Sequence, residues 1–90
     1  MRKKIQVTEH AKFEIKRRRI NEKLVREIVR NPGQVIDFKE GRQICQARYF
    51  DEFEQKEMLL RMVIEKTSGG IKIITAYKTS KLDKYSKKTR

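Results

Sequence analysis

The chain of 90 residues has few of the residue types that build disulfide, metal and cofactor sites. Cys45 is its only cysteine, so no disulfide can form within the chain. His10 is its only histidine, which excludes an acid–base mechanism that uses two histidines. A single histidine far from a single cysteine has no metal-ligand spacing, and no Gly-rich phosphate loop or nucleotide fingerprint occurs. The sequence therefore predicts no metal and no cofactor.

Long apolar runs are also missing. No segment is long enough to span a bilayer, and no apolar run of a signal peptide follows the basic N-terminus. We therefore expect a cytoplasmic protein without a membrane partner. Four glycines, one proline and the grouping of apolar residues into periodic segments indicate that residues 1–90 form one folded domain.

Negative charge is scarce relative to positive charge. The chain has 24 Lys and Arg residues against 12 Asp and Glu residues, and its formal net charge is +12. Such an excess concentrates anions around a protein and speeds its encounter with nucleic acid. The composition therefore predicts a polyanionic partner, with RNA as the first candidate. A generic basic surface without a specific partner is the alternative.

The N-terminal third has helical periodicity. We predict a short strand over residues 5–7, a first helix over residues 9–19 with Thr8 as its N-cap, and a second helix that Asn21 begins and Pro32 ends. Asn31 is a residue type that can adopt the left-handed conformation that often closes a helix. Two consecutive short helices with a tight connection predict a helical hairpin.

The apolar period changes to two from residue 34. This change predicts strands over residues 35–38, 43–50, 57–66 and 71–78, with a hairpin turn over residues 67–70. A short C-terminal helix is expected after Ser80. The predicted fold class is α+β, with two N-terminal helices packed on a four-stranded antiparallel sheet.

Residues 73–85 begin as an apolar strand and continue directly into a segment that alternates cations, hydroxyls and tyrosines, groups that suit phosphates and bases. The first helix also ends in a run of four cations, residues 16–19. For the helix run, the alternative interpretation is a solvated helix end. For Arg48, which interrupts an apolar strand, the alternative is an ion pair with a carboxylate. The residues predicted to bind RNA are Arg17, Arg18, Arg48, Lys78, Ser80 and Lys84.

Four further residues could carry metal-independent cleavage of RNA, which needs proton transfer and stabilisation of an anionic phosphorus centre. His10 or Tyr85 would transfer protons, and Arg61 and Lys81 would stabilise charge. In the alternative interpretation His10 packs at the joint of helix and sheet, and Glu65 pairs with Arg61.

Five groups of residues form a recognisable set of motifs: residues 8–11, Arg18 and Ile20, residues 25–33, residues 61–63, and residues 75–81 with Tyr85. These motifs resemble a family of small prokaryotic domains of unknown function, similar to the RelE/ParE and BrnT-type toxins of toxin–antitoxin pairs. The resemblance spans nearly the whole chain and departs from the family pattern at Glu14, where a basic residue is expected, and at Arg19, where a glycine is expected.

The resemblance implies a RelE/barnase-like layout and a metal-independent endoribonuclease, which an acidic antitoxin protein would neutralise. The RNA could be free or ribosome-bound mRNA. Two alternatives remain open: a nucleic-acid-binding module without catalysis, and a ParE-like inhibitor of a protein target.

Overall fold

The computed structural model describes residues 4–82. Within this range no helix is both long and apolar enough to cross a membrane. The predicted C-terminal helix lies mostly outside the described residues. The elements in chain order are β1 (Lys4–Val7), α1 (Glu9–Arg17), α2 (Glu22–Arg30), β2 (Gln34–Asp37), β3 (Arg42–Asp51), β4 (Lys56–Thr67) and β5 (Gly70–Thr79).

Both helices begin at the predicted N-caps. The Thr8 hydroxyl accepts a hydrogen bond from the Ala11 N–H at 3.1 Å, and the Asn21 side-chain oxygen accepts one from the Lys23 N–H at 2.9 Å. Helix α1 ends two residues earlier than predicted because Arg19 is left-handed, with φ 58°. Asn31 closes α2 without adopting the left-handed conformation open to it, since its φ is −144°.

The prediction of a four-stranded antiparallel sheet was wrong. The sheet is mixed and has five strands in the order β1-β5-β4-β3-β2. Strands β2 to β5 form the expected antiparallel meander, but β1 joins the edge of the sheet parallel to β5. The sequence shows that residues 5–7 are strand-like, but a parallel partner near the other end of the chain has no local signal.

The parallel pairing depends on Gly70, which faces Lys4 in the register. A Cβ atom at Gly70 would overlap main-chain atoms of Lys4, so only glycine allows the two backbones to approach this closely. At the other end of β1, the Thr8 N–H donates to the Ile73 carbonyl at 3.2 Å. Both ends of β1 are therefore fixed to β5.

The core lies between the two helices and one face of the sheet. Ala11 and Ile15 of α1 and Val25 of α2 pack with Leu60 and Met62 of β4 in a single buried cluster. Each buried aliphatic side chain stabilises the fold by about 1.5–3 kcal/mol relative to exposure. Cys45 is buried here too, and burial raises the pKa of its thiol to about 11, as expected for a structural cysteine.

A β-bulge interrupts the pairing of β4 with β5. Val63 lies opposite Thr75, whereas Ile64 lies opposite Ile73, so Ile74 is an extra residue in β5. The bulge reverses the alternation of side chains beyond it. Lys78 therefore points to the same, helix-covered face as Ile73, although strict alternation along β5 would place them on opposite faces.

Candidate nucleic-acid interface

Asp51 at the end of β3 organises the loop that leads to β4. Its carboxylate is 4% exposed and accepts four hydrogen bonds. Oδ1 accepts from the N–H groups of Phe53 and Glu54 at 2.9 and 2.8 Å, and Oδ2 accepts from the Tyr49 hydroxyl at 2.7 Å and Lys78 Nζ at 2.8 Å. A buried carboxylate with all these partners holds the loop in one conformation.

The protonation states at Asp51 follow from these contacts. Burial by itself raises the pKa of Asp51, but the hydrogen bonds from Lys78, Tyr49 and the Glu54 amide outweigh burial and lower the pKa to about 2. Burial and the neighbouring carboxylate raise the pKa of the Tyr49 hydroxyl. Asp51 is therefore charged and Tyr49 neutral at physiological pH.

A second buried carboxylate holds the arginines at the end of α1. Glu14 Oε1 accepts from Arg17 Nη2 at 2.6 Å and from Arg18 Nε at 2.7 Å. The hydrogen bonds from Arg18 and Arg17 lower the pKa of Glu14. The two arginine side chains remain 52% and 37% exposed, so each guanidinium also presents N–H groups to solvent. The carbonyl end of the helix adds to the stabilisation of these cations.

Arg19 turns the chain and contacts the loop that Asp51 holds. Its guanidinium carbon lies 4.2 Å from the centre of the Phe53 ring, and Lys78 Nζ lies 5.9 Å from the same ring. Both distances are in the range of a cation–π contact. Phe53 is nevertheless 61% exposed. The structure thus places an exposed aromatic ring beside several cations.

These elements surround an open groove with a volume of about 520 Å³, which we call the cationic groove. It is formed by the C-terminal end of α1, the loop between β3 and β4, and the end of β5. Five cations and one carboxylate line it. The lining residues are Arg17, Arg18, Arg19, Phe53, Glu54, Lys56, Met58, Lys78, Thr79 and Ser80.

Four of the residues predicted to bind RNA lie in the cationic groove: Arg17, Arg18, Lys78 and Ser80. The Lys78 side chain is only 9% exposed, so this cation lies at the base of the groove, against Asp51. Lys81 is exposed and follows Ser80 directly. Lys84, predicted to bind RNA, and Tyr85, predicted to transfer protons, lie outside the described residues.

His10 lies away from the groove. It is exposed in the first turn of α1, and Arg18 follows the other end of that helix. At 1.5 Å per residue the two positions are about 12 Å apart along the helix axis. The structure therefore does not bring the predicted proton carrier together with the arginines of the groove.

Arg61 lies on the sheet face opposite the helices. It is 8% exposed; its Nε donates to Gln46 Oε1 at 2.8 Å and its Nη1 donates to the Tyr77 hydroxyl at 2.6 Å. Gln46 Nε2 in turn donates to Gln34 Oε1 at 2.8 Å, so a row of polar side chains crosses four strands. Because this row lies on the face opposite the helices, the thickness of the sheet separates Arg61 from the groove.

The two ion-pair alternatives for the strand arginines have different outcomes. Glu65 lies 3.8 Å from Arg42, across the β3–β4 pair, and is not the partner that the sequence suggested for Arg61. Arg48 is exposed, and its Nη1 lies 4.0 Å from Glu57 Oε1. An exposed pair at this distance contributes little to stability. Arg48 shares the helix-free face with Arg61 and is not part of the cationic groove.

Sequence reasoning did not identify Arg19, Asp51, Phe53 or Lys56 as site residues. Phe53 interrupts the acidic segment 51–54, and an aromatic residue in a polar loop was the available signal. Arg19 could also have been identified, because it stands at a turn where the family resemblance leads us to expect a glycine. Among residues 4–82, no group of three or more His, Cys, Asp or Glu side chains is arranged to hold a metal ion.

Comparison with known proteins gives a family but no characterised relative. No curated protein and no solved structure matches the chain. A family model described as a domain of unknown function, DUF4258, matches residues 7–78, which include both helices and the whole meander except the last residue of β5, but only the last residue of β1. The chain therefore belongs to the DUF4258 family.

Proposed function

We propose that the protein binds a nucleic-acid strand, RNA in particular, in the cationic groove. The observation that carries this proposal is the local excess of charge: five cations and one carboxylate line one open groove. Part of this positive charge comes from two regions far apart in the chain, the end of α1 with Arg17 and Arg18 and the start of β4 with Lys56. Cations gathered in this way are typical of surfaces that neutralise successive phosphates.

The groove also has groups that suit a phosphodiester backbone better than a single small anion. Thr79 and Ser80 supply hydroxyl donors at its edge, and arginine guanidinium groups present planar pairs of donors to phosphate oxygens. The groove is open to solvent and is not an enclosed cavity, as binding of an extended strand requires. A buried, enclosed pocket would suit a small ligand instead.

The sequence motifs similar to those of RelE/ParE and BrnT-type toxins favour RNA among the possible polyanions. Under this proposal an acidic antitoxin would compete with RNA for the same cations. Cleavage of RNA stays a prediction. The cationic groove contains neither His10 nor Arg61, so binding is the part of the predicted activity that the groove geometry supports.

The test measures binding of fluorescently labelled oligouridine in EDTA over a range of salt concentrations. We expect log K to fall with log salt at about −0.7 per phosphate contact. The double variant Arg17→Gln with Lys56→Gln removes two groove cations, so it should weaken binding and lower the salt slope by roughly 0.7 per lost contact. The same reactions, run on a denaturing gel, report cleavage.

The matched control is Lys39→Gln with Lys66→Gln, which removes the same charge from the opposite end of the sheet. Lys56 and Lys66 lie at the two ends of β4, about 33 Å apart at 3.3 Å per residue. We expect this control to retain most of the binding. Equal losses in the two double variants, or no binding by the unmodified protein at low salt, would contradict the proposal.

A further inference from the structure

We infer that the cationic groove takes single-stranded RNA with one unpaired base stacked on Phe53. This inference rests on the proposed function and adds the class of nucleic acid to it. Base–aromatic stacking beside a cationic track is the usual means of binding a single strand. The bases of a duplex are already stacked on each other and cannot reach such a ring.

The first argument is the position of the ring. Phe53 lines the cationic groove and is 61% exposed, while Arg19 lies 4.2 Å from the ring centre. An arginine against a ring and arginines along a backbone track are the two elements that hold a base and its phosphate. A strand whose phosphates contact Arg17 and Lys56 would carry its bases past Phe53.

The second argument is the charge on the other side of Phe53. The ring also borders an adjoining groove with a volume of about 410 Å³. There, Arg19 and Lys23 face three carboxylates, those of Glu27, Asp51 and Glu52. Because Lys78 neutralises Asp51, the remaining charges on this side balance. Phosphates are therefore attracted less here than in the cationic groove, whereas Glu27 and Glu52 can accept hydrogen bonds from base N–H groups. The contrast across Phe53 therefore orients a strand with its backbone in the cationic groove and a base toward the adjoining one.

The third argument is that the backbone of the loop that carries the ring is preorganised. The Asp51 carboxylate fixes the N–H groups of Phe53 and Glu54, and Asp51 is itself held by Tyr49 and Lys78. A loop that is already ordered loses little conformational entropy when a base stacks on it. An exposed phenylalanine on a loop held by a buried carboxylate is therefore suited to bind a flat ligand.

The experiment compares Phe53→Leu with Phe13→Leu. Both phenylalanines are 61% exposed, but Phe13 lies on α1 and does not line the cationic groove. The probes are oligouridine, an abasic oligomer of the same length, the corresponding RNA duplex, and inorganic polyphosphate. We expect the unmodified protein and Phe13→Leu to bind oligouridine about 10-fold more tightly than the abasic oligomer. Phe53→Leu should bring the two affinities close to equality, and Phe53→Tyr should restore the difference.

The outcomes separate this inference from the proposed function. If polyphosphate and all three oligomers bind equally well, and Phe53→Leu behaves as Phe13→Leu does, the stacking inference is overturned while the cationic groove stands. If none of the probes binds, both are overturned. Thermal unfolding of each variant shows that it is folded, which we expect since the substituted rings are exposed.

Discussion

The two ends of the sheet are both basic, yet they differ in where their carboxylates lie. At the end opposite the cationic groove, residues 37–43 and Lys66 line a distal groove of about 440 Å³ with three cations and two carboxylates. Phe38 is 48% exposed there and Lys39 lies 5.5 Å from its ring. An aromatic ring beside a cation is therefore present at both ends.

The two ends differ in how deeply their carboxylates are buried. Asp37 and Glu40 are exposed among the cations of the distal groove, and Glu65 lies beside Arg42. At the cationic groove, by contrast, Glu14 and Asp51 are buried beneath the cations that they hold. Even with these two counted, five cations there outnumber three carboxylates. The two ends therefore differ less in total charge than in the way buried carboxylates orient the cations at the cationic groove.

Substitution of Asp51 should disrupt the cationic end most strongly. We expect Asp51→Asn to lower the free energy of unfolding at neutral pH by about 3 kcal/mol, because Lys78 keeps its charge in a buried position without its ionic partner. Urea unfolding followed by circular dichroism measures this loss. Glu52→Gln, in the same loop but exposed, is the control and should change stability by less than about 0.5 kcal/mol.

The same variant tests the pH dependence. The pKa of Asp51 is lowered to about 2 from its ordinary 3.8, so its stabilisation is present above about pH 4 and is lost as pH falls through 2. After allowance for solvent screening, this loss amounts to about 1–2 kcal/mol. Asp51→Asn should lose less stability on acidification than the unmodified protein. An equal loss in both would mean that Asp51 is not the group responsible.

At the opposite end, Gly70→Ala should have the next largest effect. A Cβ atom there overlaps the backbone of Lys4, so β1 must shift away from β5, and we expect a loss of about 1–3 kcal/mol. Gly69→Ala is the matched control, because nothing lies within 4 Å of a Cβ at that position. Hydrogen exchange of the β1 amides should rise in the first variant only. Similar behaviour of the two variants would refute the close approach.

The smallest effect is expected at two left-handed residues, one at each end. Arg19 has φ 58° and Glu40 has φ 53°. Glu40→Gly should relieve backbone strain and raise stability by about 1 kcal/mol, or about 4 °C in Tm. Arg19→Gly should gain less, since it also loses the contact with Phe53. Equal gains in Tm would show that the contact does not stabilise the fold.

Local features of the fold were predictable. The N-caps Thr8 and Asn21, the helix stop at Pro32 and the hairpin turn near Gly69 all depend on neighbours within a few residues. For that reason every helix and strand among residues 4–79 was expected, with boundary errors of one or two residues. The parallel pairing of β1 was not expected, because its partner strand, β5, is distant in the sequence and no local pattern identifies it.

The candidate site was predicted in part for the same reason. The run of cations at Arg17 and Arg18 and the cation at Lys78 were visible as charge. Their meeting in one groove depends on the bulge at Ile74, which sets the face on which Lys78 lies, and on the burial of Glu14 and Asp51. Phe53 was hidden within an acidic segment.

The sequence by itself determined where helices and strands form and that positive charge prevails, since capping, alternation and composition are properties of adjacent residues or of simple counts. Tertiary structure alone decided that β1 lies parallel to β5, that Arg61 lies on the sheet face away from the groove, and that Phe53 stands between the cationic groove and a surface whose charges balance. These arrangements depend on which distant backbones approach each other: Gly70 permits the close pairing of β1 with β5, and the bulge at Ile74 sets the face on which Lys78 lies.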